Sequence, residues 1–311
     1  MVSSDGNVLS NARSVYVPEK GKGIVPREAA LHHSEVASQV IEQALKEAKV
    51  RLADIDLIAY SRGPGLPPCL RIGAAAARTL ALKFDKPLIG VNHAVAHIEI
   101  GKLATGAKDP IILYVSGGNT QVLALVDGRY RVFGETLDIP VGNALDQFAR
   151  EAGLGFPGGP AVETAAKGGK YLELPYVVKG MDLSFAGIVS EVQRKMKNGS
   201  SIPDLAFSLQ ETVFAMLVEV TERALAHTGK QEVLVVGGVA ANKRFAEMLD
   251  IMCKERGANS FSTPLEYAGD QGSMIAWAGL LAYRPKEYEK EKALANPIDP
   301  RWRADEVEVT W

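Results

Sequence analysis

Two imidazoles four residues apart, His93 and His97, are the first residues whose type and spacing could do chemistry. Positions i and i+4 share one helix face, and that spacing suits adjacent ligand positions on one metal ion. The same pair also occurs in helices that bind nothing. A zinc protease would need a glutamate directly after the first histidine as general base. That position is Ala94, so peptide hydrolysis by this route is disfavoured. Glu99 falls beyond the second histidine and points elsewhere. Of the other histidines, His32 and His33 read as an exposed turn before the first long helix, and His227 stands alone. Asp182-Leu183-Ser184-Phe185 offers a serine without a nearby histidine or a nucleophile-elbow pattern, so a Ser-His-Asp hydrolase has no support.

A second kind of chemistry comes from glycine. Ser116-Gly117-Gly118-Asn119-Thr120 lies between two strand-like runs, and such a loop exposes backbone N–H groups to an anion such as phosphate; a plain hairpin turn has the same composition. Gly237-Gly238 follows a strand and precedes a helix, the junction where nucleotides commonly sit, with Asn242 one turn further on. Phe156-Pro157-Gly158-Gly159-Pro160 opens a helix bearing Glu163, a carboxylate able to accept from ribose hydroxyls or to serve as first-turn charge against the helix dipole. Neither a Walker-type loop nor a dinucleotide fingerprint is present.

These residues need elements to position them. Short Val/Ile/Leu-rich runs alternate with amphipathic stretches, which predicts an α/β layering. Val8 to Val17 reads as a strand after an Asp5-Gly6-Asn7 turn, and Ser34 to Lys49 as a helix with Ser34 as its N-cap. Strands are expected at Leu57 to Ser61, Leu88 to Val91, Ile111 to Ser116, Thr120 to Val126, Arg129 to Glu135 and Glu232 to Val236. Helices are expected near Arg71–Lys83, from Asn92, Asn143–Ala152, Pro160–Lys167, Ala206–His227, from Ala241, and over Asp270–Tyr283, followed by a charged surface tail. The run from Ile111 is a β-loop-β-turn-β unit, and Met1 to Val17 looks like the same unit without its first strand and loop. A duplicated core of this kind predicts the two-lobed actin/sugar-kinase/Hsp70-like (ASKHA) class. The expected lobes are residues 1–107, with the tail 284–311 packing back on them, and 108–283, which carries the nucleotide loops.

Composition narrows the setting. The chain has 311 residues, 47% hydrophobic and 23% charged, ample for two cores. A net charge of −2 provides no global field for nucleic acid, although Lys20, Lys22 and Arg27 form a local basic cluster. Cys69 and Cys253 are too few for a disulfide framework or a thiolate zinc site. No apolar run approaches the roughly 18 residues of a membrane span, so a cytoplasmic protein is expected.

Taken together, the motifs resemble the universal tRNA N6-threonylcarbamoyladenosine synthase family, in the archaeal/eukaryotic branch that forms the catalytic subunit of the KEOPS complex. The resemblance runs from about Val2 to Trp311. It is carried by Gly23 to Ala30, Gly63-Pro64-Gly65-Leu66, Asn92 to His97, Tyr114 to Thr120, Gly142 to Asp146, Phe156 to Pro160, Asp182 to Phe185, Gly237 to Asn242 and Asp270 to Ala276. It implies a metal, iron or zinc, held by His93, His97, Tyr114 and Asp270. It also implies that Tyr114, Val115, Ser116, Gly117, Gly118, Asp146, Gly159, Glu163 and Asn242 contact an adenylate or ATP analogue. The implied reaction moves threonylcarbamoyl from its adenylate to N6 of adenine 37 in tRNAs reading codons that begin with A, releasing AMP, with no residue named as general base. The implied partners are tRNA and KEOPS subunits, including a small kinase-like protein. An ATPase or kinase on the same fold, or a nucleotide-binding scaffold without transfer, are the competing readings. Three departures stand out: the first strand and polar loop of the family are expected to be missing, Gln271 replaces the usual Asn, and Ala186 replaces a frequent Ser or Thr.

Overall fold

The computed structural model describes residues 1–18 and 23–311. Lys20 and Lys22 of the expected basic cluster lie outside the described residues. In chain order the described elements are α1 (Pro26–Ala48), β1 (Ile58–Gly63), α2 (Pro67–Phe84), β2 (Leu88–Asn92), α3 (His93–Thr105), β3 (Ile111–Val115), β4 (Thr120–Val126) and β5 (Arg129–Glu135). There follow α4 (Val141–Glu151), α5 (Gly158–Ala165), β6 (Val178–Lys179), β7 (Asp182–Leu183), α6 (Ala186–Lys197), α7 (Ile202–Thr228) and β8 (Glu232–Val236). The chain closes with α8 (Lys243–Glu255), β9 (Asn259–Ser262), α9 (Leu265–Ala268), α10 (Gly272–Ala282) and α11 (Lys290–Ala295). No helix among the described residues is long and apolar enough to cross a membrane.

Two units form. The first comprises Met1–Leu103, Gly128–Tyr130 and Asp270–Trp311, the second Ala104–Asp127 and Arg131–Gly269. The expected division at residues 107 and 283 therefore differs from the observed one at α10. That helix packs on β1 and β2 because it is apolar nearly all round and has to bury every face.

In the first unit β1 and β2 run parallel, Ile58 opposite Leu88 and Ser61 opposite Val91. Leu70, Ala74, Ala77 and Ala81 form the buried stripe of α2, and three of these alanines cluster with Tyr60 and Leu88. Alanine at these positions lets the helix lie close to the strands. α1 begins eight residues before the expected Ser34, because Pro26 at its first turn presets the backbone and Ala29 and Ala30 continue the buried pattern. His32 and His33 are consequently helical, and no turn precedes them. Val8 to Val17 forms no strand: Val2 and Val8 make one isolated antiparallel bridge. Val15 and Val17 are exposed, and β-branched composition cannot hold a strand where no neighbouring edge pairs with it.

The C-terminal tail is fastened, against the expectation of a loose surface segment. Asp299 donates its N–H to the Arg62 carbonyl at 2.9 Å, and Val309 donates to the Gly128 carbonyl at 2.7 Å. The Arg62 guanidinium stacks 4.6 Å from the centre of the Trp302 ring. The backbone groups of irregular loops need partners, and this tail supplies them. Glu99 is buried with its carboxylate taken by the Tyr130 hydroxyl at 2.5 Å and by Lys102 at 3.5 Å.

The second unit is built on a five-stranded sheet in the order β5-β4-β3-β8-β9. β3 pairs antiparallel with β4 and parallel with β8, which pairs parallel with β9. The Asp127-Gly128 turn has both φ values positive, the geometry a tight two-residue hairpin demands. β3 is buried along its whole length, and Phe148, Phe185, Phe214 and Phe245 fill the core between sheet and helices. α7 is capped by Ser201, whose hydroxyl accepts from the Asp204 N–H, and ends at Gly229 in the left-handed region.

α6 and β9 are absent from the sequence reading. α6 starts where the Asp138 carboxylate accepts the N–H groups of Phe185 and Ala186 at 2.9 and 3.0 Å. Partial burial works against the Asp138 charge, but these N–H donors together with that of Ile139 outweigh it and hold the carboxyl below its ordinary value of 3.8. A depressed carboxyl stabilises the fold above its unfolded value and stops doing so as pH falls through its folded one. Asp138→Ala is therefore expected to cost about 1 kcal/mol at neutral pH. The gap to wild type should close as urea titrations are repeated at successively lower pH below 3.8; a gap independent of pH would contradict this assignment.

Candidate functional site

α3 follows β2 without a break because Asn92 caps it. Its Oδ1 accepts the N–H groups of Ala94 and Val95 at 2.9 and 3.1 Å, and its amide nitrogen donates to the carbonyls of Trp302 and Arg303. Residues from Ala94 to Gly101 are all buried, so this helix is a rigid mount. His93 and His97 leave it on one face, ring centres 4.8 Å apart and nearly perpendicular. Asp270, just before α10, brings its Oδ1 to 3.2 Å from His93 Nε2 and 3.1 Å from His97 Nε2. The donor atoms of all three lie within 4.8 Å of one another.

The electrostatics suit cation binding. Burial pushes the His97 imidazole below its ordinary value despite the opposing Asp270 carboxylate, keeping it neutral, the form that binds metal. Packing around Asp270 disfavours its charge, yet hydrogen bonds from both histidines outweigh that and hold it well below the usual carboxylate range. His97 is 2% exposed and the Asp270 side chain 80% exposed, so the trio is anchored on one side and open on the other. Two imidazole nitrogens and a carboxylate oxygen with an open side fit a first-row metal that keeps positions for substrate.

The glycine loops gather in the second unit. β3 and β8 are parallel neighbours, with Tyr114 opposite Val236, so the loops at Ser116–Asn119 and Gly237–Gly238 emerge at the same strand ends. In open α/β sheets ligands bind outside those carboxyl ends. The Ser116 hydroxyl accepts from the N–H groups of Gly118 and Asn119, which fixes the loop, and space is open beside Gly117, Gly118 and Gly159. A side chain on Gly142 would come within 2.6 Å of the Ser116 carbonyl, so the first turn of α4 lies directly against the loop. Gly237 has φ +92°, and a Cβ there would sit 2.4 Å from the Val115 carbonyl.

Each remaining expected residue has a definite place. Asp146 accepts the Gly158 N–H at 2.7 Å, and burial raises its carboxyl above the ordinary value against that bond and Arg150. The Glu163 carboxylate accepts the Lys243 N–H at 3.1 Å, so its charge serves the start of α8 and not its own helix. Asn242 caps α8 through the Phe245 N–H and donates to Gln210 Oε1 at 3.1 Å. Tyr114 stands buried on β3 in the second unit, its hydroxyl accepting from the Asn119 amide at 3.3 Å, whereas the His93–His97–Asp270 trio belongs to the first. Sequence reasoning missed Gln210 and the capping by Asn92; a buried glutamine within the apolar α7 was the available signal for the former.

Fold and site together define an α/β protein of the actin/sugar-kinase/Hsp70 class. The crystal structure of HypF from Thermococcus kodakarensis superposes with a TM-score of 0.59 at 17% identity, covering 83% of this chain and 45% of that one, a likeness of fold alone. The family model for tRNA N6-adenosine threonylcarbamoyltransferase matches residues 7–277, and the chain belongs to that family of transferases. The tRNA N6-adenosine threonylcarbamoyltransferases of Thermococcus kodakarensis and Methanopyrus kandleri are 56% and 53% identical over the whole of this chain and 95% and 92% of their own lengths. A probable bifunctional tRNA threonylcarbamoyladenosine biosynthesis protein of Methanothermobacter thermautotrophicus is 57% identical, and the chain spans 58% of its length.

Proposed function

We propose that this chain transfers the threonylcarbamoyl group of threonylcarbamoyl-adenylate to N6 of adenine 37 in tRNAs reading codons that begin with A. The N6 nitrogen forms a bond to the carbamoyl carbon, the bond from that carbon to the phosphate oxygen breaks, the N6 proton is lost to solvent, and AMP leaves as a stabilised anion. The observation that carries the reading is the His93–His97–Asp270 trio, whose donor atoms lie within 4.8 Å of one another.

These three residues would hold iron or zinc, with Tyr114 proposed from the family resemblance as a further ligand. The metal, when bound, supplies Lewis acidity that polarises or positions the threonylcarbamoyl group. The chain's own groups do the rest. Backbone N–H groups of the Gly117-Gly118 loop steady the phosphate charge that grows as AMP departs. Tyr114, Val115, Ser116, Asp146, Gly159, Glu163 and Asn242 complete the proposed nucleotide contacts; for Glu163 and Asn242 this means the positions beside α8, since their side chains already cap it.

With a net charge of −2 the chain is a weak electrostatic partner for tRNA on its own. The bifunctional relatives support a companion activity working beside the transferase, and the reading here is a small kinase-like protein within a cytoplasmic KEOPS assembly. The test supplies threonylcarbamoyl-adenylate and tRNA to the chain with its companion subunits. Expected is labelled threonine in tRNA, matched mole for mole by AMP. Nucleotide hydrolysis without modified tRNA would favour an ATPase on the same fold.

A further inference from the structure

Between α5 and β6 the chain forms a strap that has no regular secondary structure yet is pinned throughout. The Lys170 N–H donates to Asp204 at 2.7 Å and the Leu172 N–H to the Ser208 hydroxyl at 2.7 Å. The Tyr171 hydroxyl meets Thr212 at 3.3 Å, the Tyr176 hydroxyl donates to Glu219, and Arg223 donates to the Gly180 carbonyl. The partners advance steadily along α7 from residue 204 to 223, a track of about 28 Å. Leu172, Leu174 and Val178 turn inward onto the core.

What the strap turns outward is unusual for a surface segment. Tyr171 and Tyr176 are 53% and 49% exposed, although each hydroxyl is tethered to the helix. Tethering at the hydroxyl leaves a ring held in place with surface still open to solvent. Lys167, Lys170 and Lys179 are exposed and make no ion pair among the described residues. Glu173 is the acidic exception on this side, while Asp204 and Glu219 are engaged by the strap itself. Fixed aromatic rings alternating with unpaired ammonium groups match the requirements of single-stranded nucleic acid, in which unstacked bases lie on aromatics and phosphates meet cations. Because the rings are already ordered, binding them costs little conformational entropy.

We propose that the Lys167–Lys179 strap is a docking rail for an unpaired segment of the substrate tRNA, with Tyr171 and Tyr176 stacking on bases and Lys167, Lys170 and Lys179 facing phosphates. The proposal rests on the transferase reading and adds the surface by which the RNA is gripped. It also accounts for how a chain of net charge −2 contributes to holding a polyanion: the attraction is local.

The test measures affinity of the active assembly for substrate tRNA across a salt series. Tyr171→Ala and Tyr176→Ala are each expected to weaken binding about tenfold, whereas Tyr171→Phe and Tyr176→Phe, which keep the ring, stay within about threefold. The triple variant Lys167→Ala, Lys170→Ala, Lys179→Ala should make the log–log salt dependence shallower by about 1–2. Metal content and adenylate binding should be unchanged in all of them. Wild-type affinity and salt slope in the alanine variants would overturn the rail, as would equal losses on a blunt double-stranded RNA. A wild-type assembly that leaves tRNA unmodified would instead overturn the transferase reading.

Discussion

Asp270→Asn is expected to abolish threonylcarbamoyl transfer while leaving the protein folded. The carboxylate is held in its charged form by hydrogen bonds from His93 and His97, and an amide of nearly the same shape cannot supply that charge to a metal. Even the loss of an outer partner to a metal ligand costs about 10–100-fold in affinity or activity, so loss of a ligand charge should exceed that range. The side chain is 80% exposed, and the melting temperature should move little. The measurement is metal per chain after exhaustive dialysis, alongside transfer rate and circular dichroism. Full metal occupancy with wild-type turnover would falsify the assignment of Asp270 as a ligand.

Gly237→Ala should be the most damaging single methyl group in the second unit. The left-handed φ of +92° disfavours any side chain, and the new Cβ would press to 2.4 Å from the Val115 carbonyl. A left-handed non-glycine residue costs about 1–2 kcal/mol and overpacking about 1–3 more, so a loss of about 2–5 kcal/mol is expected. Part of the strain will be relieved by pushing apart the ends of β3 and β8, so adenylate affinity should fall as well. Gly238→Ala is the control, since nothing lies within 4 Å of its Cβ position. Urea midpoints and nucleotide titration of both variants decide the matter; equal behaviour would rule out the close packing of this loop against β3.

The sequence made some of this architecture legible and hid other parts for identifiable reasons. β4, β5 and β8 occupy their expected residues, and β3 falls one residue short, because buried runs of Val, Ile and Leu between turn residues are a local signal. α7 was visible from its periodicity. Ser34 misled because a good capping residue is also tolerated inside a helix, and Pro26 further upstream was the effective start signal. α6 carries Ile188, Val189 and Val192 on its buried side, but its beginning depends on Asp138, far away in the chain, and no local pattern reveals that. The site divides likewise. His93 and His97 announce themselves by spacing, whereas Asp270 lies 173 residues from His97 and was reached only through the family resemblance. The role of Glu163 at the neighbouring helix α8 could not be read from its own surroundings, since charge in a helix normally concerns that helix.

Asn92 holds two things at once: the first N–H groups of α3 and, through its amide nitrogen, the carbonyls of Trp302 and Arg303. The mount for the imidazoles and the last ten residues therefore share a single rivet. Fusions grafted after Trp311, or constructs trimmed before Trp302, should be expected to disturb the alignment of His93 and His97, however distant the alteration looks on paper.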